Sequence, residues 1–380
     1  MTVYLDCNAT APLDPEVLEV VVAHLATPGN AASRTHEYGV AALRAVQHAR
    51  GQIAEVVAAD RADVILTSGA TEANNIAVLG LGPDALARGQ RHVVTSTIEH
   101  KAVLEPVGVL ASQGFEITFV PPLPSGELSA DQVLAAVRDD TALVSIMHVN
   151  NETGVLQPLT RIADGLAGHQ AVFHTDAAQG FGKELESLRH PRIDLISISG
   201  HKIYAPQGVG ALIARQRSRW TRRLHPLLHG GGQESGLRPG TVPVALVAGL
   251  GQAAQSASRD QRKRLTHIQA FREQALAGLA SLGFVDHCQG APQLAHVLNG
   301  HIPGLDSEAA MVALKGVLAA SNGSACTSSQ YAPSHVLLSM GLDESALDGA
   351  LRLSWSHLTP AVDWMLVASR LAPLRLAESP

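Results

Sequence analysis

The sequence predicts an α/β protein, with a large domain on a mainly parallel sheet and a smaller second domain. Three observations predict it. Between about residues 61 and 215, short apolar, β-branched runs alternate with helix-like segments, the pattern of strands joined by helical crossovers. The chain has 380 residues, too many for one simple core. A helix-like stretch from about 245 to 282, rich in Ala, Gln and Arg, then leads into about 100 further residues of different texture.

The strand-like runs come in order, and each ends in a polar cluster. Val64-Ile65-Leu66 runs into Thr67-Ser68-Gly69-Ala70-Thr71, and His92-Val93-Val94 into Thr95-Ser96-Thr97-Ile98-Glu99-His100. Leu143 to Met147 precedes His148-Val149-Asn150-Asn151-Glu152. Ala171 to His174 leads to Thr175-Asp176-Ala177-Ala178-Gln179, and Ile193 to Ile198 to Ser199-Gly200-His201-Lys202. In open parallel sheets, ligands bind beyond the carboxyl ends of the strands. Five clusters at five strand ends therefore point to one site. The smaller domain contains a loop of small residues, Ser321 to Ser329, and Pro333 after it suits the first turn of a helix. The stretch Gly230 to Thr241 is too rich in glycine for a regular element. Its amides could approach a phosphate, or it is simply a long surface loop.

Composition narrows the function. Apolar residues make up 46% of the chain and charged residues 16%, which fits a globular enzyme with a filled interior; with only 3% aromatics, aliphatic side chains must do most of the packing. The net charge of -6 argues against nucleic-acid binding as the main function. The basic run Arg215 to Arg223 reads as a solvated helix face rather than a docking patch. The three cysteines, at 7, 288 and 326, have no metal-type spacing and no disulfide framework, so a reducing cytoplasm is expected. The N-terminus has no signal-peptide layout, and no apolar run approaches the roughly 20 residues that span a bilayer.

The chemistry is carried by residues at the strand ends. Lys202, beside a histidine and a glycine, is poorly explained as a solvated surface charge, although a lysine snorkelling from a strand end is the alternative. With Asp176 it supplies the two groups that pyridoxal phosphate needs: an amine for a Schiff base and a carboxylate for the pyridinium nitrogen. Asp176 could otherwise cap a helix. Gly69-Ala70-Thr71-Glu72 opens a helical pattern whose first N–H groups and Thr71 hydroxyl suit a phosphate, or merely mark a capped start. His201 could donate to that phosphate, and Gln179 could reach the ring's phenolic oxygen. His100 could stack on the ring and move protons, or be a satisfied structural histidine. Asn151 is a further donor, to the cofactor's ring oxygen or to a substrate carboxylate. Arg352 lies in the apolar run Leu351-Arg352-Leu353 and needs an anion, for which a substrate carboxylate would serve. Cys326, on the small-residue loop, reads as a nucleophile rather than a bystander, whereas Cys7 and Cys288 read as structural or incidental.

Taken together, these segments resemble the cysteine desulfurases, pyridoxal-phosphate enzymes of the class V aminotransferase group with fold type I. Matching stretches run in order from Tyr4-Leu5-Asp6 through Thr67–Glu72, Glu99-His100-Lys101, Met147–Gly154, Thr175–Gln179, Ser199–Tyr204 and His229–Thr241 to Gly323–Ser328 and Arg352. The resemblance implies a seven-stranded sheet in a large domain of residues 15–255, and a small domain of residues 1–14 and 256–380 carrying the cysteine loop. It implies that Lys202 bears the cofactor and moves the α-proton, that His100 stacks on it, and that Asp176 and Gln179 hold the ring nitrogen and phenolic oxygen. Ala70, Thr71, Ser199 and His201 would hold the phosphate, with Thr241 reaching in from the other subunit of a homodimer. Asn151 and Arg352 would orient L-cysteine, and the Cys326 thiolate would take its sulfur, leaving alanine and a persulfide for an acceptor protein. Cys7, Ala31, Ser235 and Pro239 depart from the family pattern; the last two bear on the phosphate loop and the subunit contact. Ser33–Gly39 and Gln233–Thr241 look most like desulfurases that feed DNA phosphorothioation, a role that needs no contact with DNA. The alternatives are sulfur donation to iron–sulfur clusters or tRNA, a selenocysteine lyase or aminotransferase on the same fold, and a non-catalytic sulfur-carrier scaffold.

Overall fold

The computed structural model describes residues 2–216, 220, 223–322 and 333–375. Its strands are β1 (Val3–Tyr4), β2 (Val64–Thr67), β3 (His92–Ser96), β4 (Glu116–Val120), β5 (Thr141–Ser145), β6 (Val172–Asp176), β7 (Leu195–Ser199), β8 (Gly210–Ala214), β9 (Val285–Asp286), β10 (Val297–His301), β11 (Leu318–Ala319) and β12 (Leu351–Ser354). Seven of them form one sheet in the order β2-β8-β7-β6-β5-β3-β4. Its pairs are parallel except those of β8, which runs antiparallel to both β2 and β7. Five of the seven strands are the runs legible in the sequence. β4 is a half-exposed edge strand, and β8, Gly-Ala-Leu-Ile-Ala, has a weak β-forming composition.

The sheet is covered on both faces, which is why its central strands are apolar throughout. Alternate residues feed two cores. Val64, Leu66, Val94, Val144, Phe173 and Ile196 point into one, with helices α1 (Pro15–Leu25) and α2 (Glu37–Val56). Ile65, Val93, Leu143, Val172 and Leu195 point into the other, with α3 (Ala70–Val78) and α4 (Lys101–Ser112). The stretch expected to connect the two parts is one helix, α5 (Val244–Ala280). Its first turns, with Val247 and Leu250, pack in the first core. Its last turns, with Phe271, Ala275 and Leu279, belong to a third core with Leu5, Leu298, Leu353 and Trp355. There β9, β10 and β12 form an antiparallel sheet, and β1 pairs in parallel with β11.

Two local expectations are corrected. The ends of the basic run are not a solvated face: Arg215 donates to the carbonyls of Val57 (2.7 Å) and Leu188 (2.8 Å), and buried Arg223 pairs with Asp84 at 2.7 Å. Both guanidiniums tie loop backbone or carboxylate to the core. Pro333 precedes rather than opens the next helix, His335–Ser339, because Ser334 takes the cap and accepts from Leu337 N.

Candidate active site

A pocket of about 550 Å3 opens at the carboxyl ends of the central strands. Ala70, Thr71, His100, Asn151, Asp176, Gln179, Ser199, His201, Lys202 and Arg352 all line it. Thr241 does not line it and is exposed on its own loop. Cys326 lies outside the described residues.

Lys202 closes a single 3-10 turn directly after β7. Its ammonium donates to the carbonyl of Ala9 at 2.8 Å and to that of Asn8. Asp176 is the last residue of β6 and is buried. Its Oδ2 accepts from the Asn74 amide at 2.7 Å and its Oδ1 from Ala178 N–H at 2.9 Å; both donors are neutral, so neither brings a balancing charge. Gln179 donates from Nε2 to the carbonyl of Asn8 at 2.9 Å.

His100 caps α4, its Nδ1 accepting from Ala102 N–H at 3.1 Å. That bond puts the proton of the neutral ring on Nε2. Burial lowers the proton affinity of His100; Asp176 opposes this and Lys202 reinforces it. At the other end, α3 begins at Ala70 without a side-chain cap, which leaves its first N–H groups available. Gly210 allows this turn to sit against β8, since a Cβ there would lie 2.6 Å from the Gly69 Cα. His201 Nδ1 lies 3.2 Å from Thr10 Oγ1. Burial, with Lys202 and Lys183 nearby, lowers His201 to about 4, so its ring is neutral.

Arg352 has an anion already. Its Nη2 donates to Asp6 Oδ1 at 2.6 Å and its Nη1 to the Asn151 carbonyl at 3.1 Å. A substrate carboxylate is therefore not needed to explain this buried arginine, and would share it with Asp6. The two flanks of the cysteine loop are fastened to Arg352 and to the chain neighbours of Asn151 and His100. On one side Arg352 N–H donates to Ser321 O at 2.6 Å. On the other, Ser334 Oγ donates to Glu152 Oε2 at 2.5 Å and His335 Nε2 to Glu99 O at 3.0 Å.

The model of the class-V aminotransferases matches residues 3–363. The curated cysteine desulfurase IscS of Vibrio campbellii is 41% identical over 387 residues, covering 100% of this chain and 94% of that protein. The chain belongs to the class-V aminotransferase family, among its cysteine desulfurases. Of solved structures, DndA from Streptomyces lividans superposes with a TM-score of 0.80 at 45% identity, over 90% of this chain and 97% of that one. SspA in complex with cysteine superposes with a TM-score of 0.80 at 35% identity, over 94% and 100%.

Class-V aminotransferases use pyridoxal phosphate, and the donor set of this chain fits it. A lysine amine, a buried carboxylate with only neutral donors, and an uncapped helix start share one pocket. Among the described residues, no helix is long and apolar enough to cross a membrane. Sequence reasoning missed four residues here. Asn8 and Ala9 follow a two-residue strand and carry no hydrophobic pattern. Asn74 is an inward-facing polar residue on α3, a signal visible only once the helix face is known. Asp6 was read as part of a matching stretch, without its role as the partner of Arg352.

Proposed function

We propose that this desulfurase uses pyridoxal 5'-phosphate to take sulfur from L-cysteine, releasing L-alanine and leaving a persulfide on Cys326. The observation that carries this reading is the shared pocket of Lys202, Asp176 and the uncapped start of α3. Lys202 would hold the cofactor covalently and move the α-proton; when its amine is free, the carbonyls of Asn8 and Ala9 accept its N–H groups. Asp176 would keep the ring nitrogen protonated, with Asn74 fixing the carboxylate. Gln179 would meet the phenolic oxygen and His100 the ring face, while Ala70, Thr71, Ser199 and His201 hold the phosphate. When bound, the cofactor supplies an electron sink at the substrate α-carbon. Arg352 and Asn151 would orient the substrate carboxylate.

The Cys326 thiolate attacks the substrate sulfur: an S–S bond forms, the C–S bond breaks, and its electron pair stays with the carbon that becomes the protonated methyl of alanine. Anchoring Ser321, Ser334 and His335 on the site walls supports a loop that starts and ends beside the pocket. Thr241, exposed in one protomer, would complete the phosphate site of a second copy in a homodimer. The persulfide would pass to an acceptor protein in the cytoplasm. The pathway we propose is DNA phosphorothioation, on the stretches Ser33–Gly39 and Gln233–Thr241, with the similarity to DndA in support. Iron–sulfur or tRNA sulfur donation is the second reading, supported by the similarity to IscS.

The test is spectroscopic and chemical. Purified protein reconstituted with pyridoxal phosphate is expected to show a visible band that Lys202→Ala loses, and Cys326→Ser is expected to abolish alanine formation from cysteine. Protein that stays colourless, or a Cys326→Ser variant with full activity, contradicts the reading.

A further inference from the structure

Behind Gln179 lies a lysine that the chemistry above does not use. Lys183 Nζ sits 3.1 Å from His296 Nε2 and 3.5 Å from Gln179 Oε1. No carboxylate of the described residues pairs with it. The titratable groups that act on it are Lys202 and the Cys7 thiol, with neutral His296 in contact. Burial raises the Cys7 thiol to about 11 and pushes His296 well below 6.5, so both are neutral and neither balances a charge on Lys183. Burial first, and Lys202 second, lower Lys183 itself to about 7. Such a lysine is held by geometry rather than by an ion pair.

That geometry converges on Asn8. The Asn8 amide is fixed in one sense, since its Nδ2 donates to the Asn151 carbonyl at 2.9 Å. Its Oδ1 faces His296 Nε2 at 3.1 Å, and its backbone carbonyl accepts from both Gln179 Nε2 and Lys202 Nζ. Lys183 therefore touches the acceptor end of Gln179, while Asn8 takes its donor end. A flipped Gln179 amide would set NH2 against the Lys183 amine and oxygen against the Asn8 carbonyl.

We propose that Lys183 is a positioning residue that fixes the Gln179 amide with its N–H groups toward the cofactor's phenolic oxygen. The inference rests on the cofactor reading above. A donor held at that oxygen lowers the proton affinity of the Lys202–cofactor Schiff base. Loss of Lys183 therefore raises it.

The experiment is a pH titration of the visible band of the holoenzyme in wild type, Lys183→Met, Lys183→Arg, Gln179→Ala and the Lys183→Met/Gln179→Ala pair. Band intensity per protomer reports loading and folding. The midpoint is expected to rise by about one pH unit in Lys183→Met and in Gln179→Ala, and to return toward wild type in Lys183→Arg. In the Gln179→Ala background, Lys183→Met is expected to add nothing, because it acts through the amide. A normal wild-type band with an unmoved midpoint in Lys183→Met would overturn this inference alone. So would a full additive shift in the double variant. A wild type with no visible band would overturn the cofactor reading and this inference with it.

Discussion

Asp176 and Arg352 are both buried charges on the pocket wall, and they are held in opposite ways. Asp176 receives an amide and a backbone N–H, so its charge is solvated but not cancelled. Arg352 is matched by Asp6, so its charge is cancelled before any ligand arrives. The first arrangement suits a cation, which under the proposed function would be a protonated ring nitrogen. The second creates a site that a carboxylate can enter only by sharing the guanidinium. The Asp176 pole is thus preset for one charge state, while the Arg352 pole is balanced and suits a ligand that comes and goes.

The difference can be broken most strongly at Asp176. Asp176→Asn keeps the shape and removes the charge, and cysteine-dependent alanine formation is expected to fall by at least ~100-fold in kcat. Asn74→Ala leaves the charge and removes its side-chain donor. A kcat loss of about tenfold, with KM little changed, is expected from that change; an unchanged kcat would mean that Ala178 N–H alone positions the carboxylate.

At the other pole the expected effect is smaller and opposite in sign. Asp6→Asn frees Arg352, so the KM for cysteine is expected to fall about threefold, while the empty protein loses about 1–3 kcal/mol in a denaturant titration. A raised KM would show that Asp6 aims the guanidinium rather than competing for it.

A further effect concerns pH. His174 lies in β6, between Ser145 Oγ at 2.8 Å and Ser197 Oγ at 3.0 Å, and burial lowers it from 6.5 to about 4. The unfolded chain takes up this proton below about 6.5 and the folded chain does not until about 4. Its contribution to stability is therefore full above 6.5 and is lost as pH falls toward 4. His174→Gln is expected to flatten the stability–pH curve in that window by up to ~1.4 kcal/mol per pH unit, measured by urea unfolding. An unchanged slope would mean that other buried histidines dominate the acid limb.

The same contrast explains what was legible in the sequence. The Asp176 pole lies on strand ends, where an apolar run stopping at a polar cluster marks both the element and the site. Nine of the ten predicted residues that line the pocket meet there for that reason; the tenth is Arg352, inside β12. The Arg352 pole depends on pairings between distant segments: Asp6 and Arg352 are 346 residues apart, and Asn151 and Arg352 are 201 apart. No local period encodes such contacts. The buried arginine in an apolar strand signalled that an anion was required, but not that the chain supplied it. Asn8 acts through its backbone carbonyl as well as its side chain, and a carbonyl leaves no mark on residue identity.

If sulfur leaves cysteine by way of Cys326, the mass of the Cys326 peptide records the transfer. After the holoenzyme is mixed with cysteine and trapped, one added sulfur is expected on Cys326, formed together with alanine and removed by an acceptor. Alanine formed while Cys326 stays at its unmodified mass would contradict it.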